Sequence, residues 1–216
     1  MRPHPFYLFA GGLIWPFLRW LPWQIEVQGF EHVPREGGFV LASTHFSNFD
    51  IWPLGYSFFP HRQLNFMAKA ELFNPFLKPM LVAGGAFPVR RGEADVEAFR
   101  TAVRLVRSGE IVLMFPYGTR ERKGMRKRHS PQPHTGAARI ALAARAPLVP
   151  VAVHGTDRLL KIERMRVAFA PPVEFADLQG RRSHEAAEIA TDRLMEAIEG
   201  LRELIAPGRR RERVTV

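Results

Sequence analysis

The stretch GGFVLASTHFSNFDIW, residues 37–52, changes character halfway along. Phe39 to Ala42 form a short, continuous apolar run, the pattern of a strand buried on both faces of a sheet. Ser43 and Thr44 end that run, then a lone His45 appears, and Asp50 follows in the next turn of chain. Five residues along a continuous helix point about 140° apart. The two side chains therefore meet only if His45 lies in the loop leaving the strand and Asp50 in the first turn of the following helix. Ser47 and Asn48 are suitable cap residues at that junction. In this geometry Asp50 holds one imidazole nitrogen and leaves the other to take a proton, as a general base does. The plainer reading is a capping aspartate beside a half-buried histidine. A competing pair, His154 and Asp157 in VHGTD, also follows an apolar run, and spacing alone does not choose between them.

Outward from this stretch, similar apolar runs recur at QLNFMAK (63–69), GAFPVRR (85–91), EIVLMFP (110–116), LVPVAVHG (148–155) and RMRVAFAPPVEF (164–175). QIEVQGFEHVP (24–34) alternates and then breaks at Pro34. Helical patterns lie between them. In residues 93–110 the apolar Val96, Phe99, Val103 and Val106 recur at three- and four-residue steps, with Gly109 as a stop. Residues 136–147 are Ala-rich and stop at Pro147, and residues 183–207 open with Ser183 as the expected N-cap and carry Ile189, Leu194, Ile198, Leu201 and Ile205. Alternation of strand and helix predicts an α/β sandwich with a largely parallel central sheet flanked by helices.

The chain has 216 residues, which suits one domain with a substantial core. It has no cysteine, so a disulfide framework, a thiolate-bound zinc site and a cysteine nucleophile are excluded. With 31 Lys and Arg against 21 Asp and Glu, the net charge of +10 favours anionic partners: nucleic acid, an acidic membrane surface or phosphorylated substrates. At the N-terminus an apolar stretch from Phe6 to Leu18 is interrupted by Pro16 and closed by Arg19. A membrane span needs roughly 20 apolar residues, so this one is too short to cross, and it lacks a small-x-small cleavage site. Trp15, Trp20 and Trp23, with Arg2 and Arg19, are the residue types that settle at the headgroup level. The expectation is an interfacial anchor over residues 1–24, a catalytic domain over 25–206 and a basic tail over 207–216. The alternative is an N-terminal helix packed on the domain's own core.

Several arginines follow strands. In MFPYGTRER the apolar run ends at Phe115 and Pro116, Gly118 permits a tight turn, and Thr119 and Arg120 come next. Arg90 and Arg91 close another run. Ligands of open α/β sheets sit outside the carboxyl ends of the strands, and a guanidinium grips phosphate in bidentate fashion. A base and arginines at that edge suggest attack by a hydroxyl carried on a phosphorylated molecule. A further segment, RERKGMRKRH (120–129), is strongly basic and suits an anionic bilayer, the acidic face of a carrier protein or the phosphates of coenzyme A.

These residues, in this order, resemble the glycerolipid acyltransferases. His45 and Asp50 match the family's H-x-x-x-x-D block, and Lys69, Glu71, Leu72 and Phe73 match K-x-E-L-F. Gly85, Phe87, Val89 and Arg91 match G-x-F-x-V-x-R, and Phe115, Pro116, Gly118, Thr119 and Arg120 match F-P-E-G-T-R. TGAARIALAARAPLVPVAVHGT resembles the stretch ending in a fourth block, here at Pro150. The resemblance implies the fold of glycerol-3-phosphate acyltransferases and transfer of an acyl group from a thioester of coenzyme A or acyl carrier protein to a glycerol hydroxyl. The implied acceptor is 1-acylglycerol 3-phosphate (lysophosphatidic acid) and the product phosphatidic acid, at the cytoplasmic face of the cell membrane. His45 and Asp50 would be catalytic, and Lys69, Arg91, Tyr117, Gly118, Thr119 and Arg120 would bind substrate. No metal or other cofactor is expected. On this reading the His154–Asp157 pair is structural. Two positions depart from the pattern: Tyr117 stands where the family usually has Glu, and His134 where it often has Lys. They leave room for another acceptor, glycerol 3-phosphate or another lysolipid. From another class, the charge and the Arg-rich tail suggest a basic nucleic-acid-binding protein, although the aromatics crowd the N-terminus and the apolar runs rather than a basic face.

Overall fold

Residues 3–20, 24–90, 95–118, 132–157, 164–178 and 180–206 are described in a computed structural model of the chain. Its strands are β1 (Ile25–Gln28), β2 (Phe39–Ser43), β3 (Leu64–Lys69), β4 (Ala86–Val89), β5 (Ile111–Met114), β6 (Leu148–His154) and β7 (Met165–Phe169). Its helices are α1 (Pro5–Trp20), α2 (Ile51–Phe58), α3 (Lys78–Ala83), α4 (Val96–Arg107), α5 (Gly136–Ala144) and α6 (Ser183–Ile205). The strands form one sheet in the order β1-β7-β6-β2-β5-β3-β4. Each apolar run read from the sequence is one of these strands. β2 lies inside the sheet, parallel to β5 on one side and to β6 on the other, and all five of its residues are buried.

The sheet is covered on both faces. On one, Val40, Ala42 and Val112 pack with Ala102 and Val106 of α4, Ile140 of α5 and Leu194 and Ile198 of α6. On the other, Phe39, Leu41, Ile111 and Leu113 pack with Leu54 and Phe58 of α2. The pleat explains this division, because successive residues of a strand point to opposite faces. Arg62 gathers the opposite edge of the sheet: its guanidinium donates to the carbonyls of Pro34, Gly37 and Gly109 at 3.3, 2.6 and 2.8 Å and lies over the Phe39 ring. Burial pulls its pKa below the usual arginine value.

The sheet is largely parallel, as expected; β7 alone runs antiparallel to β6, while pairing in parallel with β1, because the short connection 155–164 lacks the dozen or more residues that a parallel crossover needs. Local expectations at the helix ends need correction. Ser183 is the first residue of α6 and not its cap; Arg182 occupies the cap position without a side-chain hydrogen bond. Val96 is 55% exposed, since it follows the true cap, Asp95, whose side chain accepts from Ala98 N at 3.0 Å, and the buried stripe of α4 runs through Ala98, Ala102 and Val106. The α5 stop is made at Arg145, in the left-handed region at φ 54°, ahead of Pro147. None of the described helices is long and apolar enough to cross a membrane. The tail 207–216 and the basic segment 120–129 lie outside the described residues.

Leu41 is fully buried at the centre of the sheet, whereas Phe76 is 93% exposed. Leu41→Ala should lower the unfolding free energy by about 2–5 kcal/mol, and Phe76→Ala should change it by less than about 0.5 kcal/mol. Urea titration of the two variants measures both; equal effects would show that the apolar packing of β2 is not the centre of stability.

Candidate active site

β6, β2, β5, β3 and β4 are mutually parallel neighbours, so their carboxyl ends emerge side by side. The segments leaving those ends carry Thr156, His45, Tyr117 with Gly118, Lys69 and Arg90. His45 lies in the loop after β2, and Asp50 closes the single 3₁₀ turn Asn48–Asp50 that leads into α2. The chain thus adopts the arrangement that the spacing requires for contact, and His45 Nδ1 is 2.8 Å from Asp50 Oδ2.

The same carboxylate also caps the turn. Asp50 Oδ2 accepts from Phe46 N at 2.7 Å and Ser47 N at 2.9 Å, while Ser47 Oγ accepts from Phe49 N at 3.2 Å, completing a capping box. The two readings of Asp50, cap and histidine partner, are therefore one structure sharing one oxygen. Oδ1 accepts from the hydroxyl of Thr156, in the segment after β6. The two amides and the Thr156 hydroxyl all donate to this carboxylate, so an ionised Asp50 is an acceptor that requires a donor from His45 as well. Nδ1 of His45 then carries its ring proton, and Nε2 holds the lone pair.

His45 is fixed by its face as well as its edge. The imidazole stacks on Phe115, the residue after β5, with centroids 4.0 Å apart and planes 20° from parallel. Its side chain keeps 13% exposure, against none for Asp50. Phe46, next in sequence, lies beneath the guanidinium of Arg202 near the end of α6.

The turn after β5 is built by Gly118. Its N–H donates to Phe115 O at 2.9 Å, and its φ of +63° is one that side chains rarely adopt. A Cβ at this glycine would come within 3.2 Å of the His134 ring. His134 N in turn donates to Pro116 O at 2.8 Å. Of the two positions that depart from the family pattern, Tyr117 lies in this turn and His134 packs against it.

Lys69 ends β3 and is exposed at this edge. Arg90 follows β4 and is engaged with Asp95: its backbone N–H donates to Oδ2 at 2.9 Å and its Nε lies 3.6 Å away. Those bonds, with the Ala98 amide, hold the Asp95 carboxyl below its usual range. Arg91, Thr119 and Arg120 lie outside the described residues. His154 ends β6 opposite Arg166 of β7, and it is Thr156, between His154 and Asp157, that reaches Asp50. Sequence reading missed Thr156 and the stacking of Phe115. The signal for Thr156 was a hydroxyl residue just beyond a buried strand, but its partner lies 106 residues away. Among the described residues no group of three or more His, Asp and Glu side chains could hold a metal ion.

Immediately after Asp50 the chain forms the wall of an apolar cavity of about 280 Å³, lined by Tyr7, Gly11, Trp52, Tyr56, Phe59 and Phe66 among others. α1 closes one side. Gly11 is tightly packed on the Phe59 ring, and Tyr7 meets the same ring with centroids 6.0 Å apart. Burial pushes the Tyr7 phenol up to about 12. Part of α1 therefore packs on the domain, as the alternative reading of the N-terminus expected, while Phe9 and Leu13 of the same helix are 67% and 58% exposed.

Comparison with known proteins bears on this edge directly. The acyltransferase family model matches residues 24–154, the part of the chain that carries His45, Asp50 and the Phe115–Gly118 turn. A 1-acyl-sn-glycerol-3-phosphate acyltransferase of Bacillus subtilis is 34% identical over 181 residues, which cover 82% of this chain and 87% of that protein. A protein of the same name from Streptococcus pneumoniae is 26% identical over 204 residues, covering 92% of this chain and 74% of its own length. In fold, the chain is similar to the crystal structure of the 1-acyl-sn-glycerophosphate acyltransferase of Thermotoga maritima, with a TM-score of 0.65 and 22% identity over 94% of this chain and 80% of that one. A family model spanning more than half the residues, and a relative this similar along most of its length, make the chain a member of the acyltransferase family.

Proposed function

We propose that the protein moves a fatty acyl group from an acyl thioester, acyl-coenzyme A or acyl carrier protein, to the free hydroxyl of 1-acylglycerol 3-phosphate, making phosphatidic acid for phospholipid synthesis. The observation that carries this reading is the His45–Asp50 pair, 2.8 Å apart at the carboxyl edge of a parallel sheet. The names of the Bacillus and Streptococcus relatives support the acceptor.

In the proposed reaction Nε2 of His45 takes the proton of the acceptor hydroxyl as its oxygen attacks the thioester carbonyl carbon. Asp50 keeps Nδ1 protonated and stabilises the imidazolium that forms. The tetrahedral adduct collapses, the carbon–sulfur bond breaks, and the leaving thiolate takes the proton from Nε2. Such general-base assistance contributes typically ~10²–10⁴ in rate. Lys69, Arg91 and Arg120 hold the phosphate, and Tyr117, Gly118 and Thr119 line the acceptor side. The acyl chain enters the apolar cavity whose wall begins at Ile51, directly after Asp50. No metal takes part in this scheme.

Both substrates are amphiphiles, and the exposed apolar residues suit a surface that meets lipid. Phe9 and Leu13 of α1 are joined by Phe76 and by Met80 of α3, which is 51% exposed. The two helices are tied through Gln63, which accepts from His4 N at 2.9 Å and donates to Ala83 O at 2.7 Å. The protein is proposed to bind one leaflet peripherally or monotopically at the cytoplasmic face, aided by attraction of its net charge of +10 to anionic lipids. A second reading of the acceptor rests on Tyr117, which removes the negative charge that the family usually carries there. It makes glycerol 3-phosphate or another lysolipid the competing acceptor.

Purified protein given labelled acyl-coenzyme A or acyl carrier protein and a panel of acceptors should acylate 1-acylglycerol 3-phosphate fastest. His45→Ala should reduce turnover at least about 10³-fold, and Asp50→Asn by a similar order; retention of turnover by His45→Ala would remove the proposed base. In the same panel Tyr117→Glu should keep activity within a few-fold and shift the ranking of acceptors, and an unchanged ranking would sever Tyr117 from acceptor choice. Sedimentation with vesicles containing anionic phospholipid should recover the wild-type protein and lose most of a Phe9→Asp, Phe76→Asp double variant. Equal recovery of the two proteins would refute the proposed lipid-facing surface.

A further inference from the structure

Asp50 is fully buried, and its two carboxylate oxygens are supported unequally. Oδ2 has three donors, His45 Nδ1, Phe46 N and Ser47 N, all from its own loop. Oδ1 has the Thr156 hydroxyl as its donor among the described residues, and that donor comes from the segment after β6, the strand beside β2. Thr156 is itself 1% exposed. A buried carboxylate oxygen without a donor carries a desolvation cost, so the loop around Asp50 is complete only when the segment after β6 is seated against it.

Two features seat it. Thr44 Oγ1, just past the end of β2, accepts from Val153 N at 3.1 Å and fastens the ends of β2 and β6 together. Gly155 then turns the chain at φ +92°, where a Cβ would approach Arg164 O to 2.9 Å, so the turn needs glycine. The next residue is delivered back toward Asp50. A threonine suits the position because its β-branched side chain has few χ1 choices, which keeps the hydroxyl aimed at Oδ1.

We propose that Thr156 is a positioning residue for the base: by donating to Asp50 Oδ1 it fixes the rotation of the carboxylate, so that Oδ2 stays in line with His45 Nδ1. The inference rests on the reading of His45 as the general base. It adds a third member to the pair, supplied by a neighbouring strand, which acts through Asp50 and does not touch substrate. Its loss leaves the phosphate and acyl-chain contacts in place, so the effect falls on kcat and not on KM.

Steady-state kinetics of Thr156→Val, Thr156→Ser and His45→Ala test this in the full chain, with folding followed by circular dichroism. Thr156→Val should lower kcat about tenfold with KM changed less than about twofold, and Thr156→Ser should restore kcat to within about threefold of wild type. A wild-type kcat in Thr156→Val, or a serine variant as impaired as the valine one, overturns the role of the hydroxyl. Turnover by His45→Ala would instead overturn the base itself, so the two failures are distinguishable. A measurement on the wild-type protein covers the case in which Thr156→Val does not fold. The Thr156 hydroxyl proton should appear by nuclear magnetic resonance as a slowly exchanging signal, and a rapidly exchanging one overturns the proposal.

Discussion

The buried carboxylate of Asp50 organises this end of the molecule. A charge with no solvent exposure is tolerated only when its oxygens are well supplied with donors, and four converge here: an imidazole, two backbone amides and a threonine hydroxyl. Those donors come from the loop after β2 and the segment after β6. The carboxylate therefore caps the 3₁₀ turn that leads into α2, shapes the loop that carries His45 and pins a neighbouring segment in one stroke. A requirement of burial and a requirement of chemistry are met by the same bonds.

The fold makes this local arrangement useful. Because β6, β2, β5, β3 and β4 run in the same direction, each contributes its following segment to one edge, and residues distant in sequence become neighbours along it. β5 brings Phe115 against the imidazole, and β3 brings Lys69 to the rim. α2, which begins at this edge, also packs its Leu54 and Phe58 into one face of the sheet, so the site rests on a buried core. Rigid support of this kind suits the proposed base, whose lone pair must be aimed.

Much of this was legible in the sequence because the signals are local. The apolar runs read as strands since buried parallel strands are continuous in hydrophobicity, and each was found where expected. The His45–Asp50 spacing was informative because only one backbone path lets the pair meet. What the sequence did not separate was cap from histidine partner, and the shared Oδ2 explains why: both demand the same residue at the same place. The orientation of β7 escaped notice because an apolar strand reads alike in either direction, and the length of its connection decides. Thr156 escaped because its meaning depends on a contact between strands far apart in the chain. The exposure of Val96 was not legible because helical periodicity does not mark where the first turn begins; the cap at Asp95 does.

The stacking of His45 on Phe115 carries a stereochemical consequence. One face of the imidazole is covered by an aromatic plane and the Nδ1 edge is taken by Asp50, which leaves Nε2, whose lone pair lies in the ring's own plane. On the proposed reading of His45 as the base, an alcohol oxygen must come to Nε2 along that lone pair, and a stacked, hydrogen-bonded ring is held against swivelling to meet a misplaced one. Selectivity among hydroxyl groups on the same headgroup would then be a matter of angle before it is a matter of affinity.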